Sequence, residues 1–278
     1  MNRAEQAQKA EAFRALHRGR LLLLPNAWDA LSARIFVEAG FEAIATTSGG
    51  VAWALGYRDG EEAPWDEVVA QTRRIARVVS GPVTADIEAG FGESPEAVMR
   101  SVGDIIEAGA VGINLEDGRL KGPAPIRPLE DAVARLEAAR EAARRAAVPI
   151  VINARTDLYL RNIGEEGERF EEAVRRGKAY LAAGADCFYP IGLRDRPTIA
   201  RLVGALGRIP INVNVRAGSP SVAELEALGV ARASTATVVT LMAMEATRKI
   251  AVEMRESGRF DALAPSITHA AAQQMFAL

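Results

Sequence analysis

The chain has 278 residues, of which 49% are hydrophobic and 25% are charged, and its formal net charge is -2 at pH 7. This length and composition allow a globular protein with a core of ordinary size. The balanced charge, without a run of like charges, gives no basic field for nucleic acid or an anionic membrane. We therefore expect neither nucleic acid nor a membrane as a partner.

The N-terminal region reads as a charged amphipathic helix rather than a signal peptide. The apolar run that follows it, residues 21–25, is too short to cross a bilayer, and we predict a cytoplasmic location. The single cysteine, Cys187, excludes an internal disulfide and a thiolate metal cluster within one chain.

After the opening helix, around residues 2–16, short apolar runs alternate eight times with longer amphipathic segments. The predicted strands cover residues 21–24, 43–46, 83–86, 112–115, 150–153, 187–190, 211–214 and 232–234. The predicted helices include residues 28–39, 66–79, 95–108, 129–146, 170–183, 197–206 and 222–228. This alternation predicts an α/β fold, a (β/α)8 TIM barrel with parallel strands and an extra N-terminal helix.

No linker or composition shift divides the chain, so we predict one domain over residues 1–278. A C-terminal helical segment, about residues 237–278, remains beyond the predicted barrel. Its apolar part, residues 267–276, has no obvious place to pack, and a neighbouring subunit is one candidate.

Two carboxylates, Asp86 and Glu88, close the apolar run in V-T-A-D-I-E-A-G-F-G. Residues i and i+2 on a strand point to the same face, so this spacing predicts an acidic pair. A cation or a proton relieves the repulsion within such a pair. A hard divalent ion such as Mg²⁺ is the first hypothesis, and two solvated carboxylates at a loop edge are the alternative.

The ends of parallel barrel strands meet at one mouth, so polar residues at those ends belong to one candidate site. They include Asn26, Asp29, Thr46, Thr47, Ser48, Gly49, Gly50, Tyr57, Arg58, Asp59, Asp86, Glu88, Asn114, Glu116, Asp117, Asn153, Arg155, Asp157, Tyr189, Asn212, Asn214 and Arg216. The T-T-S-G-G run predicts a nest for a ligand carboxylate, although it is also a common turn.

Arg155 follows a buried strand, so its charge requires carboxylates or an anionic ligand. An internal ion pair to Glu116 or Asp86 is the alternative to a ligand. A competing architecture places a phosphate site at R-A-G-S-P and S-T-A-T, after the last two strands, but leaves the acidic mouth unexplained.

Five stretches resemble the isocitrate lyase and phosphoenolpyruvate mutase superfamily, in order and over nearly the whole chain. They are L-P-N-A-W-D-A-L-S-A-R, T-T-S-G-G-V-A-W-A-L-G-Y-R-D, T-A-D-I-E-A-G-F-G, G-I-N-L-E-D and I-N-A-R-T-D. The resemblance implies an enzyme dependent on Mg²⁺, with Mn²⁺ as the alternative ion, that acts on a 2-oxo acid or its enolate. It also implies a homo-oligomer, a tetramer or a dimer, whose C-terminal helices exchange between subunits.

The resemblance also implies roles for individual residues. The metal-facing carboxylates correspond to Asp59, Asp86, Glu88 and Glu116, with Asp86 as the direct ligand and the others acting largely through water. Arg155 corresponds to the arginine that contacts the substrate carboxylate. Thr47, Ser48 and Gly49 correspond to the segment that receives the oxo-acid carboxylate, and Asn214 to an asparagine that touches the distal part of the substrate.

Two departures from the family bear on the reaction. The family usually has Asp where this chain has Glu88, and the loop after residues 112–115 lacks the cysteine that the lyases use as an acid. That loop also lacks the asparagine of the phosphonate enzymes, which leaves Arg119 and Lys121 to meet a distal anion, unless they are two exposed loop charges.

We predict a carbon–carbon lyase acting on a 2-oxo or 2-hydroxy di- or tricarboxylate, with Arg155, Glu116 and Asp59 as catalytic residues. Decarboxylation of oxaloacetate is favoured, because solvent can protonate the enolate and no loop acid is needed. The alternatives are cleavage of isocitrate or methylisocitrate, P–C chemistry on phosphonopyruvate, and binding of a 2-oxo acid without catalysis.

Overall fold

The computed structural model describes residues 2–119, 124–207 and 209–277. Its strands are β1 (Leu22–Leu24), β2 (Asn26–Ala27), β3 (Ile44–Thr46), β4 (Val83–Asp86), β5 (Gly112–Glu116), β6 (Val151–Thr156), β7 (Cys187–Pro190), β8 (Asn212–Asn214) and β9 (Arg232–Ser234). Its helices are α1 (Arg3–Ala15), α2 (Ala30–Glu38), α3 (Ser48–Leu55), α4 (Trp65–Val78), α5 (Pro95–Glu107), α6 (Leu129–Arg145), α7 (Glu166–Ala182), α8 (Arg196–Leu206), α9 (Val222–Ala227), α10 (Val238–Ser257) and α11 (His269–Met275).

The strands close into a parallel barrel. One sheet runs in chain order from β2 to β7, and a second joins β1, β9 and β8. Pro25 separates β1 from β2, which together occupy one barrel position, and a bridge from Phe188 to Ile211 links β7 to β8. The predicted (β/α)8 fold is therefore confirmed.

Successive residues of each strand face either the core between the strands and the helices or the interior of the barrel. Ala85, Ile113 and Ile152 are buried in the main hydrophobic core with apolar residues of the surrounding helices. Thr84 and Asp86 alternate with Ala85 on β4, so they point to the opposite face, into the barrel. The carboxyl ends of the strands thus bring their polar residues to one mouth.

Most element boundaries lie within a few residues of their predictions, but the helix α3 was missed. The S-G-G sequence at its start has poor helix propensity, and that sequence favoured a turn. The helix forms because Val51 and Ala52 are buried beside Val68 and Ala63. Packing therefore overrides local propensity here.

The N-terminal helix α1 closes the floor of the barrel. Its Asn2 and Glu5 form a capping box, and the Gln6 side chain donates to the carbonyls of Ile106 and Ala110 at 2.7 and 3.0 Å. Phe13 is fully buried, and a Cβ at Gly112 would lie 2.8 Å from its Cε1 atom. A glycine at this strand position therefore makes room for the aromatic ring.

Beyond the barrel, α10 and the segment after it present apolar side chains to solvent. These include Leu241, Met242, Met244, Val252, Met254, Phe260, Leu263, Ile267 and Phe276. Exchange of this C-terminal segment between subunits stays a prediction, as does a single domain over residues 1–278. Within the described ranges, the helices fall short of the length and apolar character required to span a bilayer.

Candidate active site

Asp86 is anchored at the mouth by the two neighbouring elements. It is the last residue of β4, and its backbone N–H donates to the Thr46 hydroxyl at 2.8 Å. One of its carboxylate oxygens, Oδ2, accepts the backbone N–H of Ser48 at 3.2 Å. The carboxylate is therefore held against the first residue of α3.

Glu88 joins Asp86 by a different route from the predicted one. The strand ends at Asp86, and Glu88 has a φ of 49°, so the strand rule for residues i and i+2 does not apply. Its side chain instead turns toward the loop between α3 and α4, where its Oε2 atom accepts the backbone N–H of Glu61 at 2.9 Å. The predicted shared strand face is wrong, although both residues contribute to the same acidic mouth.

The crowding of carboxylates at the mouth shifts their protonation. Burial, followed by the charges of Asp59 and Asp86, raises the pKa of Glu88 to about 8. Asp59 lies at the exposed edge of the mouth. Loss of water contact beside the neighbouring protein, and then the charge of Asp86, raise the pKa of Asp59, whereas a hydrogen bond from the Ser48 side chain lowers it. A cation bound between these groups would relieve the same repulsion.

The donor set fits a hard divalent cation that retains much of its water. Asp59, Asp86 and Glu88 supply only carboxylate oxygens, which Mg²⁺ prefers. Within residues 2–119, 124–207 and 209–277, no three His, Cys, Asp or Glu side chains are close enough to enclose a metal ion by themselves. The arrangement therefore suits an ion held through one or two carboxylates, with water and ligand oxygens completing its coordination.

The predicted carboxylate nest is the N-terminus of a helix rather than a turn. Thr47 is the N-cap of α3, and its own backbone N–H donates to the carbonyl of Ala27 at 3.2 Å. The amides at Ser48, Gly49 and Gly50 begin the helix, where N–H groups have no carbonyl acceptor within the helix. They give this side of the mouth a positive partial charge that suits a carboxylate.

Gly49 allows the helix to approach the acidic loop closely. A Cβ at this position would lie 3.1 Å from the Asp59 Oδ2 atom and 2.9 Å from the Thr237 methyl group. A side chain here would push Asp59 away from the start of α3. The spacing of the mouth therefore depends on this glycine.

Arg155 is held by two carboxylates in the structure. Its Nη1 atom lies 2.6 Å from Glu116 Oε2, and its Nε atom donates to Asp157 Oδ1 at 2.8 Å. Burial opposes the charge of Arg155, but Glu116 and Asp157 overcome this and raise its pKa above the ordinary value. The alternative of an internal ion pair is thus realised with Glu116, and Asp157 rather than Asp86 is the second partner.

Asn214 lies at the end of β8, on the far side of the mouth. Its Oδ1 atom accepts the backbone N–H of Gly192 at 3.0 Å, which fixes the loop after β7. The predicted contact with the distal part of a substrate therefore concerns the amide nitrogen of this side chain. Of the two loop cations predicted to meet a distal anion, Arg119 is described and Lys121 lies outside the described residues.

The competing phosphate site has its loop amides already occupied. Asn26 accepts the backbone N–H groups of Thr235 and Ala236, each at 2.9 Å. Arg216 donates its backbone N–H to Ser219 in a local turn at 2.9 Å. One loop is thus bound to β2 and the other forms a local turn, whereas the acidic mouth gathers charged side chains from several strands.

Arg232 is a buried cation that the sequence prediction overlooked. It lies in β9, fully buried inside the barrel, and its Nη2 atom donates to Asn114 Oδ1 at 3.3 Å. In the described part of the chain, its Nε and Nη1 atoms have no hydrogen-bond partner. Alternation within the short R-A-S strand was the available signal, since it places Arg232 and Ser234 on the same face.

Cys187 also faces the barrel interior and is fully buried. Burial raises the pKa of its thiol to about 12, so it remains a neutral thiol. Cys187 is therefore a packing residue, and the chemistry is left to the acidic mouth.

Comparison with known proteins identifies the family. A family model described as phosphoenolpyruvate phosphomutase matches residues 13–255. A 2-methylisocitrate lyase of Escherichia coli is 33% identical, with 74% of this chain and 69% of the relative covered. The chain therefore belongs to the isocitrate lyase and phosphoenolpyruvate mutase superfamily, which confirms the predicted family and the predicted class, a carbon–carbon lyase of this superfamily.

Other relatives share the fold over almost the whole chain. An oxaloacetate decarboxylase of Ectopseudomonas mendocina is 30% identical over a match that covers 97% of this chain and 92% of the decarboxylase. A crystal structure of a lyase or mutase of Burkholderia cenocepacia has a TM-score of 0.89 at 36% identity, covering 98% and 97% of the two chains. A phosphonopyruvate hydrolase in complex with oxalate and Mg²⁺ has a TM-score of 0.84 at 27% identity, covering 96% and 94%.

Proposed function

We propose that the protein is a Mg²⁺-dependent lyase that decarboxylates oxaloacetate or a closely related 2-oxo dicarboxylate. The observation that carries this proposal is the meeting of Asp59, Asp86 and Glu88 with the N-terminus of α3. Arg155 lies one residue before the end of its strand, at the same mouth. The complex of a structural relative with oxalate and Mg²⁺ supports the ligand class, since oxalate carries the adjacent oxygens of a 2-oxo acid.

Each group has a distinct task in the proposed reaction. The amides at Gly49 and Gly50 bind the carboxylate next to the oxo group, Ser48 keeps its amide on Asp86, and Asp86 and Glu88 hold the cation. A bound Mg²⁺ would supply Lewis-acid polarisation of the oxo group. Arg155 lies where negative charge develops as the carbon–carbon bond breaks, and its planar fork suits a carboxylate or an enolate oxygen.

Arg155 can take part in this way without losing its present partners. Its Nη1 and Nε atoms already contact Glu116 and Asp157. The guanidinium has five N–H donors, so it can keep these two contacts and direct its remaining donors toward a ligand. Glu116 and Asp157 then position the arginine and keep its charge compensated before substrate binds.

The absence of a cysteine acid in the loop after β5 favours decarboxylation over the other lyase reactions. Release of CO₂ leaves an enolate that water can protonate, whereas cleavage into two acids requires protonation of the departing carbanion by the protein in the related lyases. Because this loop lacks both the cysteine of the lyases and the asparagine of the phosphonate enzymes, it supports neither cleavage of methylisocitrate nor transfer of a phosphonate group.

The test is product analysis by NMR with Mg²⁺ and a panel of oxaloacetate, isocitrate, methylisocitrate, 2-oxoglutarate and phosphonopyruvate. We expect pyruvate and CO₂ from oxaloacetate, in a reaction that requires both Mg²⁺ and Asp86. The control Asp86→Ala also corrects for the spontaneous decarboxylation that metal ions cause in solution. Turnover of another panel member would redirect the proposal, and metal-dependent binding without turnover would favour a binding protein.

We also propose a homo-oligomer, a dimer or a tetramer, which covers the exposed side chains of α10. Met242 and Met244 are 64% and 51% exposed, and such apolar patches mark association surfaces. Sedimentation velocity of the wild type and of Met242→Asp tests this proposal, because the charge should shift the distribution toward monomer. A monodisperse wild-type monomer would contradict it.

A cytoplasmic location stays a prediction.

A further inference from the structure

In the loop after β4, residues 87–93, some backbone N–H groups face the acidic mouth and several carbonyl groups face the helices α5 and α6. We call this segment the β4 loop. On the mouth side, the N–H of Glu88 donates to Asp86 Oδ1 at 3.3 Å, and the N–H of Phe91 donates to Glu61 Oε1 at 2.7 Å. Two amides of the loop are thus directed at carboxylates of the acidic mouth.

Four carbonyl oxygens of the same loop, those of residues 89, 90, 92 and 93, are bound by side chains of two helices. Arg135 of α6 donates from Nη1 to the carbonyl of Glu93 at 2.9 Å and from Nη2 to that of Gly92 at 2.7 Å. The same Nη2 also contacts the carbonyl of Ala89. Ser101 of α5 donates its hydroxyl to Gly90 at 2.9 Å. One guanidinium therefore gathers three carbonyls of a single short segment.

This arrangement matters because the β4 loop has a conformation that its sequence alone does not favour. Glu88 and Phe91 have φ values of 49° and 51°, in the left-handed region that residues with a side chain rarely adopt. Such conformations persist where the surroundings determine them. Arg135 is almost fully buried, so loss of its guanidinium would leave the loop carbonyls without a donor and free to turn toward the mouth.

Glu61 connects the β4 loop to the acidic mouth through two backbone contacts. Glu61 is the residue whose carboxylate receives the Phe91 amide and whose own amide holds Glu88. Arg135 holds the loop at one end of this connection, and Glu88 lies at the other.

We propose that Arg135 is a positioning residue for the divalent cation site, which it serves by holding the β4 loop with its amides toward the carboxylates. The inference rests on the proposed function for the presence of the cation. Arg135 itself touches neither Asp86 nor Glu88 in the contacts described above. Its effect on the site passes through the loop backbone and Glu61.

Arg140 offers a matched control on the same helix. It also donates to backbone carbonyls, Ile150 at 2.8 Å and Gly184 at 3.1 Å, but these precede β6 and β7 at the opposite end of the barrel. Arg140→Met therefore removes two carbonyl contacts and an ion pair with Asp186 from α6 without touching the mouth.

The experiment compares Mn²⁺ binding, followed by electron paramagnetic resonance without substrate, in the wild type, Arg135→Met, Arg135→Lys and Arg140→Met. Hydrogen exchange at the Phe91 amide is measured in the same four metal-free proteins. We expect Arg135→Met to weaken Mn²⁺ binding by about 10- to 100-fold and to accelerate exchange at Phe91. Arg135→Lys should recover part of both effects, and Arg140→Met should show neither.

Arg135→Met that matches Arg140→Met in Mn²⁺ affinity and in Phe91 exchange would overturn the inference. Should Arg135→Met fail to fold, Arg135→Lys gives the same comparison, because an ammonium group lacks the fork that serves three carbonyls. A wild type that binds no Mn²⁺ would refute the cation site of the proposed function. In that case the proposed positioning of a cation by Arg135 would be refuted as well. Unchanged exchange at Phe91 in Arg135→Met would then also refute the role of Arg135 in holding the loop.

Discussion

Replacing Glu88 by Gln removes one ionisable group from the acidic mouth while keeping the size of the side chain. The amide oxygen of Gln can still accept the backbone N–H of Glu61, which Glu88 Oε2 accepts at 2.9 Å. The substitution therefore tests charge more than shape. In the metal-free protein, we expect it to change how stability depends on pH.

The magnitude follows from the two pKa values of this group. Burial and then Asp59 and Asp86 hold the pKa of Glu88 at about 8 in the folded protein, whereas glutamate in an unfolded chain has a pKa of about 4.3. Because the folded pKa is raised, the folded state binds more protons between these values, and its stability falls as the pH rises. From about pH 7 to about pH 9, this group lowers the free energy of unfolding by about 1.4 kcal/mol.

The assay is urea unfolding in the presence of a chelator at several values across this pH range. Glu88→Gln should lose about 1.4 kcal/mol less than the wild type over the interval, since the Gln side chain does not titrate. Glu62→Gln, a change at an exposed carboxylate of the facing loop, is the control and should retain the wild-type slope. Equal slopes in the wild type and Glu88→Gln would refute the assigned burial and charge repulsion.

Three further results are expected. Mg²⁺ affinity should rise with pH up to about 8, because Glu88 must lose its proton to face the cation, and a flat profile in isothermal titration would contradict this. Arg155→Lys should lower kcat/KM for the 2-oxo acid by about 10- to 100-fold in steady-state assays, since the fork that contacts Glu116 and a ligand is lost, and a wild-type value would argue against its role. Arg232→Met should leave the free energy of unfolding unchanged or raise it, because the buried cation lacks partners at two of its nitrogens, and a large loss in denaturant titration would show that the barrel interior compensates its charge.

The barrel could be predicted from sequence because its signal repeats along the chain. Strands 83–86 and 187–190 were placed at the observed bounds, since each is a short apolar or β-favouring run between helical patterns. The helix α3 could not be placed in this way. Its glycines oppose helix formation, and its burial depends on Val68, a residue distant in sequence.

The site shows the same division between local and long-range information. Strand ends identified Asp86, Glu116 and Arg155, because parallel strands bring their ends together. The position of Glu88 depends on its left-handed backbone conformation. Such a conformation cannot be predicted from sequence at a residue other than glycine. Arg135 was likewise hidden, since its carbonyl partners belong to a loop more than 40 residues away.

Closure of the barrel also constrains the order of events during synthesis. The first strand, β1, pairs with β9, so Leu22 meets Arg232 only after some 200 further residues have been made. At ordinary translation rates this is a delay of roughly 10 to 40 s. Throughout that time, the apolar edge of β1 lacks the strand that completes it. A nascent chain stalled before residue 232 would therefore be a substrate for chaperones and a source of aggregation, even though the finished barrel has no open edge there.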